Sequence, residues 1–473
     1  MSVKRDPTLA AIVARLERGR PALGCAALLI VAASCGGEPR KVTFEVTPGH
    51  EADAFHEPPA VTRMALEARD ETGAVLAAAT GAPGGTVSFG ELESAAFVAL
   101  DVTGVDEAAV TRVRGRSVGV PLGALATDVL PVFAQRLGAF ARPPGSLSAS
   151  HVRGHAVAVG ERFLLLTGGS ATHRDGTALE ARTATVYDLL ALGPALAAPL
   201  PRAAEALVVV PEGDAVLVVG SDGATFVDLQ TGAVTEAELP LGLASFASVA
   251  GGATVVGPSA SYVVGPTRTT GASDRVLVLG EGRALSAVAL AVPRAGAAAA
   301  WLDGVGLVVA GGSASAAGVE TLAVDATAFV PRPYPSDPTE GAAAVATGDE
   351  DGLLLVGGTL GALPAPTRAL AAGCATTCAA AVVAEAGLSV PLFACRGFTA
   401  GAAGAIVVCE DADGNTRAYE SEPGGAASRE LALREPRAGA AVVPTPLGTL
   451  ALLGGAHPDG TPALTIESYF PSD

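Results

Sequence analysis

From Lys41 onward the apolar residues of this 473-residue chain come in short bursts broken by Gly-rich and Pro-rich turns, the spacing of β-strands. The clearest unit is Pro293 to Gly312, PRAGAAAAWLDGVGLVVAGG. It opens on Pro-Arg-Ala-Gly, runs through small apolar residues, turns at Asp303-Gly304 and climbs a second apolar run into Gly311-Gly312. Two such runs about an Asp-Gly turn predict a hairpin. The design recurs at Pro436 to Gly455, PRAGAAVVPTPLGTLALLGG, and more loosely at Val152 to Gly169, VRGHAVAVGERFLLLTGG. Arg294 precedes Gly311 by the same interval as Arg437 precedes Gly454, so the copies agree in spacing as well as in composition.

Before these repeats, the segments 41–46, 61–68, 74–80, 86–89, 96–102 and 109–115 read as strands, separated by turn signals such as Glu71-Thr72-Gly73 and Pro83-Gly84-Gly85. Strands this short predict a compact β-sandwich over 41–127, similar in architecture to an immunoglobulin-like or fibronectin-like module but without the Cys–Trp–Cys pattern of true immunoglobulin domains. From Asp128 the pattern repeats every ~40–50 residues, the signature of propeller blades. Blade starts fall near His151, Pro201, Leu243, Pro293, Gly341, Pro391 and Pro436, with the third blade least regular and Ser259 to Thr270 read as an insertion. The last repeat stops after its third strand, at TIESYFPSD, so Val129 to Leu147 is expected to supply the missing outer strand and close the ring. The expected fold is therefore all-β, with a sandwich followed by a propeller over 128–473. Seven blades are expected, with six as the alternative.

The paired glycines Gly168-Gly169, Gly311-Gly312, Gly357-Gly358 and Gly454-Gly455, the preceding Arg294 and Arg437, and Tyr187 or Tyr469 in the third strand resemble kelch repeats over roughly 128–473. The resemblance implies a propeller in which the first glycine lets blades crowd and the second takes a conformation other residues avoid. The chain departs from the family in its aromatics. Trp301 is the single Trp, so Ala, Val and Leu must fill the space between blades.

Length and charge add an address. Arg15, Arg18 and Arg20 precede an apolar run from Ala22 to Ala33, too short to span a bilayer as a finished helix. The sequence Val31-Ala32-Ala33-Ser34-Cys35 resembles a bacterial lipobox, which implies a signal over 1–34, acylation of Cys35 and a tether over 35–40. An ordinary secretory signal cleaved nearby is the alternative. Gly36 is not the Asp that often marks inner-membrane retention, so the expectation is a lipid anchor at the outer membrane, the only contact with a bilayer. Residues 1–34 hold five basic and two acidic side chains, so from a net charge of −18 the remainder carries −21. That balance argues against nucleic acid as a partner. Cys374, Cys378, Cys395 and Cys409 remain in an exported chain, where an even count implies disulfides with three possible pairings. The strand assignment favours Cys374–Cys378 and Cys395–Cys409. A zinc site is the alternative reading, disfavoured because no His lies near them in sequence.

Candidate chemistry is sparse. His151, His155, His173 and Asp175 fall in or beside the first blade, where a metal must be weighed, but His155 occupies an ordinary repeat position and His173 a polar loop. Asp411-Ala412-Asp413-Gly414-Asn415 resembles the start of a calcium loop without its closing Glu, and a hairpin turn accounts for it equally well. The five Tyr are scattered over five blades, unlike the paired ligands of a copper radical oxidase on a kelch scaffold, and no Ser/His/Asp spacing points to a hydrolase. No cofactor or metal is therefore expected. The expected function is non-enzymatic: a monomeric envelope scaffold that binds a protein or envelope ligand through propeller loops. A structural or adhesion-type surface protein, or a carbohydrate-binding or enzymatic propeller, is the alternative.

Overall fold

A computed structural model describes residues 40–472, except 93–95, 126–128, 266–270, 316, 385–387, 389, 401–403, 423 and 426. The N-terminal strands are β1 (Arg40–Thr47), β2 (Arg63–Arg69), β3 (Val75–Gly81), β4 (Thr86–Leu92), β5 (Phe97–Val105), β6 (Thr111–Arg116), β7 (Val120–Pro121) and β8 (Val129–Arg136). They form one sheet in the order β3-β2-β5-β6-β8-β1-β4, with β7 on β5. The expected sandwich of two stacked sheets is thus corrected to a single sheet that curls almost into a barrel. The reason lies in the ends of the domain. β1 pairs in parallel with β8, setting Phe44 opposite Leu130 and Val46 opposite Val132, so the sheet continues where a sandwich would have an edge. Alternate residues then all point to one interior. Val98, Leu100 and Val102 of β5 join Phe44, Leu66, Val113 and Val132 in one core. β3 and β4, consecutive in the chain, are the two remaining edges.

Beyond it, seven four-stranded antiparallel sheets follow one another. The first runs through His155–Val159, Phe163–Thr167, Ala184–Asp188 and Gly193–Ala195. In the third, Ala260–Val264 is the second strand, which corrects the reading of 259–270 as an insertion. Both faces of that strand are buried: Tyr262 and Val264 pack towards Leu307 and Val309 of the fourth blade, while Val263 faces the second. The part of the expected insertion at 266–270 lies outside the described residues. First strands of neighbouring blades lie side by side from the first blade to the sixth, and that of the seventh lies beside that of the first. The seven sheets therefore make a seven-bladed propeller.

Small side chains fill the gaps between blades. Ile406 and Val408 of the sixth blade meet Leu450 and Leu452 of the seventh, and Leu164 and Leu166 of the first meet Val443 and Leu453 of the seventh. Trp301 stacks on Tyr262 between the third and fourth blades, with ring centroids 5.8 Å apart. Gly257 leaves room for it, since a Cβ there would sit 2.8 Å from the indole.

The seventh blade contributes Ala441–Pro444, Leu450–Leu453 and Glu467–Tyr469, and its outer strand is β9 (Phe140–Ala141). Tyr469 pairs with Phe140 and Ser468 with Ala141. Closure by an N-terminal strand is therefore observed, but by a shorter segment than the expected 129–147. Val129–Arg136 is instead β8 of the barrel, because its inward residues Leu130, Val132 and Ala134 complete that core. Phe140 is 1% exposed, and its ring lies 5.2 Å from that of Tyr469. Leu137 and Gly138 extend the contact, the Gly138 N–H donating to the Phe470 carbonyl at 2.8 Å. Phe140→Ala should cost about 3–5 kcal/mol, as large-to-small changes at buried aromatics do. Chemical denaturation should read that loss, and limited proteolysis should cut first within 137–148. Unchanged stability would show that the closing strand does not secure the ring.

Candidate functional site

The expected site residues fall into two groups. Cys35 lies outside the described residues. Cys374 is joined to Cys378, and Cys395 to Cys409. The second bridge crosses the first two strands of the sixth blade at a bulge, where Ala394 takes φ 47° and turns Cys395 towards its partner. At the four glycine pairs every φ lies between 61° and 92°, the region that favours glycine. The two members of a pair do different work. A Cβ on Gly454 would come 2.8 Å from the His151 carbonyl of the next blade, whereas one on Gly455 would come 2.6 Å from the Ala438 carbonyl of its own blade. The first glycine therefore admits the neighbouring blade and the second admits the blade's own entry strand.

Arg294 and Arg437 are among the most buried side chains, and each meets a carboxylate that sequence reasoning missed. Arg294 Nη2 donates to Glu320 Oε1 at 2.8 Å and Nη1 to the Gly311 carbonyl at 2.6 Å. Arg437 Nη2 donates to Glu467 Oε1 at 2.9 Å, and Glu467 Oε2 accepts the Arg434 N–H at 2.7 Å. Each pair ties a glycine turn, a third strand and the link between blades. The missed signal was a lone Glu inside an otherwise buried strand, as in VETL and IESY. In the first blade His151 takes the arginine position. Its Nδ1 lies 2.8 Å from the Gly168 carbonyl and its Nε2 3.1 Å from Thr185 Oγ1. His155 has its pKa pushed down to about 4 by burial and by the Arg396 charge. His173 meets Asp175 in an exposed loop at 3.2 Å. The structure therefore does not bring these histidines together, and among the described residues no group of three His, Cys, Asp or Glu could hold a metal ion. Asp411 accepts the Asp413 and Asn415 N–H groups at 3.0 and 2.8 Å and Arg417 Nε at 3.1 Å, the bonding of a hairpin turn.

The most promising cavity lies where no motif pointed, at the seam between the barrel and the first and seventh blades. Its volume is about 40 Å³, and it opens to solvent. β8 builds one wall by alternation. Its even residues fill the barrel, and the odd residues Phe133 and Gln135 face the propeller. β6 lies close beside it because Gly115 has no side chain: a Cβ there would come 2.4 Å from the Phe133 carbonyl. Arg114 sits directly across the ladder from Gln135 and lines the same space. The opposite wall is apolar, formed by Leu164, Leu189, Leu192, Ile466 and Phe470. Leu192 is held at φ 50°, an uncommon conformation for leucine. Tyr187 closes one end. Its hydroxyl donates to the Pro144 carbonyl at 2.7 Å, and burial followed by the Asp188 charge pushes its ionisation upward, so it serves as a fixed wall rather than a reactive phenol.

Gln135 stands out within this lining. It is 2% exposed, yet neither its Oε1 nor its Nε2 has a hydrogen-bond partner. A buried amide in that condition costs about 1–3 kcal/mol, and native proteins rarely leave one idle. No sequence pattern marked it, since VLPVFAQR reads as one more apolar strand with a polar end.

No protein family and no curated protein matches the chain. Among solved structures, a chain in the crystal structure of a mitotic checkpoint complex is similar over 71% of this chain and 96% of its own length, at 11% identity and a TM-score of 0.46. The assignment of seven blades stands on the strand pairing described above.

Replacing the idle amide should relieve its cost. Gln135→Met, which keeps volume and removes both polar atoms, should raise stability by about 1–2 kcal/mol in the absence of added ligand. Equilibrium denaturation of the purified chain reads this directly. A loss of stability would mean that the amide is already satisfied within the fold.

Proposed function

We propose that the chain is a non-enzymatic lipoprotein of the bacterial envelope, anchored through Cys35, whose kelch-type propeller serves as a binding scaffold. The seam cavity is the observation that carries this reading. Its walls are mostly apolar and are drawn from the barrel and from the first and seventh blades. The lining supports binding better than chemistry. Tyr187, its one phenol, is committed to Pro144 and resists ionisation. The lipobox-like VAASC and the strongly acidic remainder of the chain support an exported, lipid-tethered protein that keeps its surface away from anionic headgroups.

The test uses the Cys35→Ser chain, which should appear in the soluble fraction where the parent chain stays with membranes. The purified Cys35→Ser protein is incubated with an envelope extract, washed and denatured, and the released small molecules are identified by mass spectrometry. A second protein carries Thr449→Trp as well, which places an indole in the cavity from its partly exposed rim. Compounds held by the first protein and lost from the second are the expected result. A Cys35→Ser chain that stays membrane-bound would overturn the anchor, and an identical set of compounds from both proteins would overturn the cavity as the binding site.

A further inference from the structure

The first strands of the blades share one rung, the residue paired with the position just before the corner glycine of the second strand. In five blades that residue is alanine: Ala206, Ala253, Ala298, Ala343 and Ala441 pair with Val219, Val264, Ala310, Val356 and Leu453, each followed by glycine. The first blade places His155 there, opposite Thr167, and the sixth places Arg396, opposite Val408. These two blades flank the seventh, so the exceptions lie on either side of Ala441. In the sixth blade Cys409 stands where the others have the corner glycine, and its bridge to Cys395 pins the backbone next to Arg396.

Neither side chain is spent on the fold. Among the described residues no hydrogen bond or ion pair engages the Arg396 guanidinium or the His155 ring, and none of their nitrogens is sealed from solvent. Gly397 faces the fifth blade, where a Cβ would meet Val345 and Ala343, so alternation turns Arg396 and Phe398 towards the seventh. Arg153, held at φ 57°, joins three blades at this end: its N–H donates to the Gly439 carbonyl at 2.7 Å and its Nε to Glu410 Oε2 at 3.2 Å. The Arg396 charge acts on His155 and the Glu410 charge on Arg396, so the four groups share one locality. His155, with its pKa near 4, is an uncharged N–H donor at neutral pH, and Arg153, Arg396 and Glu410 leave a single net positive charge. Glu205, beside Ala206, is already bonded: its Oε1 accepts the Ser221 N–H at 3.0 Å and hydroxyl at 2.6 Å.

We propose that Arg396 and His155 form a carboxylate-binding site on the inner ring of the propeller, at the end where the glycine corners lie. The guanidinium donates two parallel N–H bonds to the two carboxylate oxygens, and the His155 ring donates to one of them. Burial penalises an unpaired guanidinium here, and a carboxylate offsets that penalty. A single charge matches the cluster, whereas the second charge of a phosphate would be set against Glu410. The site is separate from the seam cavity, which lies beyond the other end of the first strands, past Pro444 at Thr445.

Propionate, propionamide and inorganic phosphate are titrated into the purified full-length chain at neutral pH, and the His155 ring and Arg396 Nε resonances are followed by NMR. Propionate should shift both and bind roughly tenfold more tightly than either other probe, the margin of a charge-assisted pair. Arg396→Ala and His155→Ala each introduce the side chain that five blades already carry at this rung, so both should fold. The first should abolish the preference for propionate, read at His155. The second should weaken propionate about threefold, read at Arg396. A capped peptide bearing one glutamate separates the sources of the carboxylate: tighter binding than propionate assigns it to a partner protein, and weaker binding to a small free acid. Equal binding of propionamide, tighter binding of phosphate, a preference that survives Arg396→Ala, or no shift with either carboxylate would each overturn the proposal. Thr449→Trp should leave propionate binding unchanged, so failure of this site and failure of the seam cavity are distinguishable.

Discussion

Two backbone pairings, Phe140 with Tyr469 and Ala141 with Ser468, join the segment before the first blade to the third strand of the seventh, and much of the structure depends on them. Blades of a propeller contact mainly their neighbours, so a ring built in sequence has no inherent reason to close. Here the outer strand of the seventh blade is borrowed from the segment that leaves the barrel. Glu467–Tyr469 is covered rather than left as an open edge, and the first and last parts of the propeller are tied together. The ring is tied a second time where the Gly455 N–H donates to the His151 carbonyl at 2.9 Å. Because β8 and β9 are separated by only three residues, closing the ring also fixes where the barrel sits. The Gln135 face of β8 is thereby held against the first and seventh blades, and the seam cavity follows from the closure.

Close packing of small residues is the second constraint. A chain with 4% aromatics cannot wedge its blades apart with rings, so neighbouring sheets approach through Ala, Val and Leu. Their turns must then come close to foreign backbone, which is what the glycine pairs permit. The buried pairs Arg294–Glu320 and Arg437–Glu467 complete the arrangement by satisfying carbonyl and N–H groups at the turns that water cannot reach. Removing one member of such a pair would strand its partner's charge, so these positions specify the turn geometry more than they add net stability.

The propeller was legible in the sequence because its signals are local. A hairpin announces itself through Asp303-Gly304, and the recurrence of Gly311-Gly312 and Gly454-Gly455 fixes the repeat. The disulfides were legible for the same reason: Cys374 and Cys378 flank one connection, and Cys395 and Cys409 lie on adjacent strands. What failed to show were pairings between distant segments. VLPVFAQR carries the same alternation whether it closes a barrel or a blade, and only its pairing with the distant β1 and with β6 decides between them. The closing strand is two residues long, too short to carry any periodicity. Gln135 was invisible for a related reason. Its importance comes from what covers it, the propeller wall across the seam, and strand alternation alone would have left it on the surface.

Hydrogen exchange on the intact chain tests the closure most directly. Amides of 139–142 and 467–470 should exchange together and as slowly as those of Leu450–Leu453, the buried second strand of the same blade. Fast exchange at 139–142, at the rate of a free linker while Leu450–Leu453 remains protected, would show that the ring is not closed by this strand and would contradict the account.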